Sequence, residues 1–178
     1  MTAERKWTID NAHSSMEFSI KHMMISNVRG KFDSYEAEIT GDGDDIQSMK
    51  AHVSIDVKSI NTGNNDRDNH LRSDEIFASV KYPKIEFQTK KIELSGDELD
   101  ITGDLTIRGI TKEITLMGEY GGKIKDPFGN DRFGLSVSTS IKRSDFDLKW
   151  NMVLEGGGLM LGEKVTLLIQ LEAFSPSN

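Results

Sequence analysis

The sequence predicts an all-β fold of antiparallel strands, and three observations predict it. Apolar and polar residues alternate with a period of two in six separate runs. Short glycine- and aspartate-bearing segments punctuate those runs. One stretch, Asn65–Phe77, lacks the alternation altogether. Alternation means one buried and one wet face, the signature of antiparallel rather than doubly covered parallel sheet.

Taken along the chain, Met16, Phe18 and Ile20 point one way, with Glu17, Ser19 and Lys21 between them. Met49, Ala51, Val53, Ile55 and Val57 form the next face. In Asn65–Phe77 the acidic start and the Leu71 and Ile76-Phe77 spacing predict a short helix. Leu99, Ile101, Leu105 and Ile107 follow with Gly103 in phase, then Ile114, Leu116 and Tyr120 with Gly118 in phase. Phe133, Leu135, Val137, Thr139 and Ile141 alternate with glycine and serines, and Val165, Leu167, Ile169, Leu171 and Ala173 make the last face.

Gly41-Asp42-Gly43, Ser95-Gly96-Asp97, Arg108-Gly109 and Gly121-Gly122 read as short connections. Asp126–Asp131 and Gly156-Gly157-Gly158 read as loops, the former a longer one. The result is about eight strands and one helix in a single domain spanning 1–178, which must pack as a sandwich or close as a barrel. Small inward residues such as Ala51, Gly103, Gly118 and Thr139 either leave room inside or accommodate larger neighbours; alternation does not decide which.

Composition narrows the function. The net charge of −7 argues against nucleic acid or an anionic membrane surface as the main partner. Without cysteine there is no disulfide, thiolate metal site or cysteine nucleophile. No run approaches the ~20 apolar residues of a membrane-spanning helix, and Met1–Trp7 carries no apolar signal region, so the expected location is cytoplasmic.

No His-Glu-x-x-His pair, Gly-x-Ser-x-Gly elbow or phosphate-binding loop is present. Asp42-Gly43-Asp44-Asp45 starts like a calcium loop, but Ile46 and Gln47 follow where ligands and glycine are needed, and an acidic turn is expected. The expectation is therefore no catalytic residue, no metal and no cofactor. His52 alternates outward, and His70 is expected at the surface or as a helix cap. His22 shares the inward parity of Ile20: it is either a core histidine satisfied by backbone or water, or a polar group at a cavity mouth. Arg143 shares the parity of Ile141. It calls for a carboxylate partner, for which Asp145 is near, or it orients a ligand. Met23-Met24 and Leu159-Met160-Leu161 break alternation and read as loops over an opening.

Several motifs in order carry a more specific resemblance. Trp7-x-x-Asp10-x-x-His13-Ser14 leads into Phe18-x-Ile20-x-His22. Val28-Arg29-Gly30-Lys31-Phe32, Asp66-Arg67-Asp68 with His70-Leu71, and Tyr82–Phe87 follow at matching spacing, as do Gly103–Lys112 and Ile141–Phe146. Together they resemble the YceI-like family of bacterial proteins over nearly the whole chain. Asp147 stands where that family more often carries glycine.

The resemblance implies an extended, lipocalin-like antiparallel eight-stranded barrel around an apolar pore for polyisoprenoids, such as the tails of isoprenoid quinones. It implies binding without catalysis. The expected cavity lining is Met16, Phe18, Ile20, Val53, Ile55, Phe87, Leu105, Ile107, Leu135, Val137, Leu167 and Ile169, with His22 and Arg143 at the head group. A homodimer is compatible with it. Two other readings stay open: an enzyme acting on a lipid or quinone in the same cavity, and a stress-related interaction protein with a filled barrel.

Overall fold

In the computed structural model, residues 4–177 are described. Eleven strands and one α-helix run in the order β1 (Arg5–Ile9), β2 (Ser15–His22), β3 (Ser26–Phe32), β4 (Tyr35–Gly41), β5 (Lys50–Asp56), β6 (Ile60–Asn61), α1 (Asn65–Arg72), β7 (Lys84–Ser95), β8 (Glu98–Ile107), β9 (Ile110–Lys125), β10 (Asn130–Lys142) and β11 (Leu161–Pro176). All pairings are antiparallel. The ring β1-β4-β5-β7-β8-β9-β10-β11 closes on itself where Thr8 and Ile9 pair with Phe174 and Ala173.

The three extra strands are not extra staves. β2 continues β1 along the same edge of β11, β3 pairs with β2 as β4 does with β1, and β6 continues β5 against β3. The molecule is thus an eight-stranded up-and-down barrel whose first three staves are each broken in two. Closure through β1 and β11 pairs the edges that an open sheet would expose there, whereas β3 meets β6 only at Lys31 and Phe32.

The turn chemistry works as the residues dictate. Arg108 and Gly109 both have positive φ (51° and 73°), the geometry of a two-residue hairpin whose twist matches its strands. Asp126 accepts the Phe128 and Asn130 N–H groups and closes a tight turn from β9 to β10, so the longer loop expected there is only 126–129.

Gly121-Gly122, expected to connect two strands, instead lies inside β9. There the register against β10 shifts, with Tyr120 opposite Leu135 and Lys123 opposite Phe133. Two residues face one, a bulge, and Gly122 takes the left-handed φ of 88° that a bulge of this kind favours in glycine.

Helix α1 is capped by Asn64, whose side chain accepts the Arg67 N–H, and ends at Arg72. The rest of the expected helical segment, 73–77, is a bend followed by turns. Buried Asp68 accepts the Thr62 N–H and hydroxyl and so ties the helix to the end of β6.

Candidate functional site

Two packed clusters occupy the two ends of the barrel. At one end Trp7, Ile39, Ile46, Met49, Leu99 and Phe133 pack with their neighbours. The Trp7 and Phe133 rings meet edge to face at 5.0 Å, Trp7 donates to the Gly41 carbonyl at 3.2 Å, and the Arg5 guanidinium lies 4.9 Å over the Trp7 ring. At the other end Val57, Ile76, Ile107, Phe146 and Leu148 pack beneath the segments that follow α1 and β10.

Between and beside these clusters lies a cavity of about 550 Å³. Its floor includes Ile46, Met49, Ile92 and Phe133, and its far end is bordered by His22, Asp66, Arg67, Trp150, Met160 and Leu161. Asp66 and Arg67 are exposed, so the cavity reaches solvent there; the Trp7 cluster closes the opposite end. β11 lines it from Leu161 to Leu171, a run of roughly 33 Å along the strand at ~3.3 Å per residue.

All twelve residues of the expected lining, from Met16 on β2 to Ile169 on β11, stand on this wall, and so do His22 and Arg143. Small inward residues divide. Ala51 lines the cavity, but a Cβ at Gly103 would collide with the Phe87 ring, and one at Gly118 with the backbone of Ser136 and Val137. Those glycines permit close approach rather than leaving room.

Polar groups cluster at the open end. Apart from Glu17 and Thr89 along the wall, they are His22, Thr62, Asp66, Arg67, His70 and Arg143. Thr89 Oγ1 accepts the Ala51 N–H at 2.9 Å, so that backbone donor is satisfied within the wall.

Arg143 is 7% exposed and, among the described residues, has no carboxylate partner, contrary to the expectation of Asp145. Its Nε donates to the Gly162 carbonyl at 2.8 Å, and its Nη1 donates to the Leu148 and Trp150 carbonyls at 2.6 and 3.0 Å. Desolvation draws its pKa down, opposed by Glu163. An arginine in such a place stays charged and satisfies carbonyls that a loop leaves unpaired.

His70, expected at the surface or as a cap, lies at the surface with its side chain 38% exposed, and from there it also borders the mouth. Its Nε2 lies 2.8 Å from Glu75 Oε2, and its ring meets Trp150 edge on at 4.7 Å. Arg67, on the same helix, donates from Nε and Nη2 to the Thr62 hydroxyl and carbonyl, both at 2.7 Å. Sequence reasoning missed both as mouth residues; the motif Asp66-Arg67-Asp68-x-His70 was the available signal.

Two loops frame this end. Asn151 closes 151–161 by donating to the Leu161 carbonyl and accepting its N–H, both at 2.9 Å. Val153 bridges to Leu159 within it, and the Met23 N–H donates to the Met160 carbonyl at 2.7 Å, tying the loop to the β2–β3 turn. Met23 and Met24 both sit in left-handed backbone, φ 52° and 63°, a conformation costing such side chains roughly 1–2 kcal/mol each. Asp147 also takes a left-handed φ of 58°, which explains why glycine suits that position.

A second polar cluster sits on the outside near the Trp7 end. Asp10, His13 and Glu172 converge as metal ligands could. Arg132 already occupies the centre, however, with Nη1 at 2.6 Å from Asp10 Oδ2 and 2.8 Å from Glu172 Oε1. The hydrogen bond from His13, then that from Arg132, hold the Asp10 carboxyl at about 2. This is an ion network with its cation in place.

Fold and site define a class: an up-and-down β-barrel with an apolar cavity, closed at one end and polar-rimmed at the other. Comparison with known proteins supplies the particular. The YceI-like domain family matches residues 7–173, and the chain belongs to that family. A UPF0312 protein of Staphylococcus aureus is 43% identical over 160 residues, covering 89% of this chain and 91% of that one. The crystal structure of the Campylobacter jejuni YceI protein is 37% identical with a TM-score of 0.77, covering 88% of this chain and 90% of that one. A polyisoprenoid-binding domain from Saccharophagus degradans shares the fold at 17% identity and a TM-score of 0.73, covering 97% and 99%. Among the described residues no helix is long and apolar enough to cross a membrane.

Proposed function

We propose that the chain binds a long-chain polyisoprenoid or isoprenoid-quinone lipid, tail first, as a carrier, store or sequestering protein without catalysis. The observation that carries this reading is the one-ended apolar cavity with its polar groups gathered at the mouth. A cavity of about 150 Å³ holds one benzene, so 550 Å³ corresponds to about twenty carbons on the same scale. At ~0.8 kcal/mol per methylene, burial contributes roughly 16 kcal/mol gross. Association and ordering cost about 4–15 kcal/mol, so a long tail binds and a short one does not.

Family membership supports the reading, as does the shared fold of a domain described as polyisoprenoid-binding. Binding is favoured over turnover because three of the polar mouth groups are already engaged: His70 with Glu75, Arg67 with Thr62, and Arg143 with three carbonyls. His22, and with it Arg143, would face the head group.

Organic extraction of the purified protein followed by mass spectrometry tests this. A stoichiometric, chemically unaltered isoprenoid is expected. Absence of lipid, together with no uptake of added isoprenoid quinone, rejects the proposal. His22→Ala should alter the preference among head groups on one tail length; an equal loss for every tail-bearing ligand would remove His22 from that role.

A further inference from the structure

We infer that the two loop tips at the cavity mouth, 23–25 and 152–159, dock the protein on a lipid bilayer so that ligand passes between membrane and cavity without crossing water. The inference rests on the lipid-binding reading above and adds the surface at which exchange occurs.

The tips expose Met23, Met24, Ile25, Met152, Val153 and Leu159. Ile25 is 86% and Val153 74% exposed. Single exposed apolar residues are ordinary, but a contiguous group of this kind marks an interaction site. The group is contiguous: the Met23 N–H donates to the Met160 carbonyl, and the Met24 side chain lies where a Cβ on Gly158 would be.

Local preference opposes these residues. Left-handed backbone at 23 and 24 calls for glycine or asparagine, yet methionine stands at both. Apolar side chains kept against backbone preference and against exposure point to a use for them.

Position selects the occupant. Met160 and Leu161, which follow one tip, and His22, which precedes the other, line the cavity itself. The apolar surface therefore runs from the outside of the tips into the pore. A second copy seated there would stop the mouth, whereas a bilayer opens onto it. Glu155 is the single charged side chain across the two tips, which sets the docking depth at the head-group level. With a net charge of −7, the surface it fits is zwitterionic and held by apolar insertion.

The test is flotation of the full chain with phosphatidylcholine vesicles, paired with transfer of an isoprenoid quinone from loaded protein to acceptor vesicles. The chain should float. Combining Met24→Asn, Ile25→Ser and Val153→Ser should lower vesicle association by about tenfold or more and slow transfer to match. Equilibrium uptake of the quinone from solution should be unchanged, because none of the three lines the cavity. Glu155→Gln should strengthen association.

Failure of the wild-type chain to float, or a triple variant that floats and transfers like wild type, overturns the inference. So does a triple variant that loses only self-association by light scattering, which would assign the tips to a second copy. If the chain takes up no quinone but floats through these residues, the docking surface stands and the lipid-binding proposal alone fails.

Discussion

The two ends of β11 present the same alternation and build different interiors. Ala173, beside the Trp7 cluster, is 0% exposed, while Leu171, Ile169 and Leu167, on the same face of the same strand, are only half-buried. β2 repeats the contrast: Met16 is buried, Phe18 and Ile20 are half-buried. At the Trp7 end aromatic rings and a guanidinium fill the cross-section; further along, aliphatic side chains of one row face a void. Alternation therefore reports which face is inward and is silent on whether the inside is full. Ring-sized residues meeting across the barrel decide that.

The contrast is sharpest in deletions of equal size. Leu99→Ala, in the closed end, should cost about 3–5 kcal/mol, since it opens a new cavity in a packed site. Leu167→Ala, on the hollow, should cost about 1–2 kcal/mol in ligand-free protein, because part of its surface already lacks a partner. Urea denaturation of both variants would measure this, and equal losses would mean the cavity collapses in solution.

Next in size, Arg143→Met should cost about 2–4 kcal/mol through three stranded carbonyls, with hydrogen exchange rising in 148–162 before the Trp7 end. Uniform exchange across the barrel would refute the local role. Filling the hollow is expected to be nearly neutral: Ile169→Phe should shift stability by less than about 1 kcal/mol, although the same addition in a packed core costs about 1–3 kcal/mol. It should also weaken isoprenoid uptake, read by quenching of Trp150 at the mouth.

How much of this was legible in the sequence follows from what is local. Strand faces, and with them the expected lining residues on the alternating runs, were readable because the period-two pleat is a property of neighbouring residues. Arg143 was readable as inward but not in its partners, because the Leu148, Trp150 and Gly162 carbonyls belong to a segment with no period. His70 was readable as a surface residue but not as a mouth residue, because α1 has no apolar stripe to orient it. Gly121-Gly122 misled as a turn because a bulge and a turn call for the same positive-φ glycine, and only the β10 register tells them apart.

Acid should separate the two ends as well. The His13 hydrogen bond first, then Arg132, hold Asp10 at about 2 against an ordinary 3.8, and Arg5 holds the Asp131 carboxyl down, both at the Trp7 end. Their folded-state pKa values lie below the unfolded ones, so their stabilisation is complete above about pH 4 and is lost as pH falls toward 2. Asp10→Asn should flatten that part of a stability–pH curve, by the smallest of these effects. An unchanged slope would show that the outer ion network contributes nothing.

A tube closed at one end also measures what enters it. With Met49 and Phe133 as a fixed floor, a tail shorter than the cavity leaves unfilled space, and the carbons of a longer one stay outside and forgo the ~0.8 kcal/mol that each buried methylene contributes. The aromatic plug behind that floor acts as the stop of a ruler. Affinity should rise with each added carbon until the tail fills the tube and then level off, so moving the stop, rather than altering the mouth, is how this barrel would be reset for another chain length.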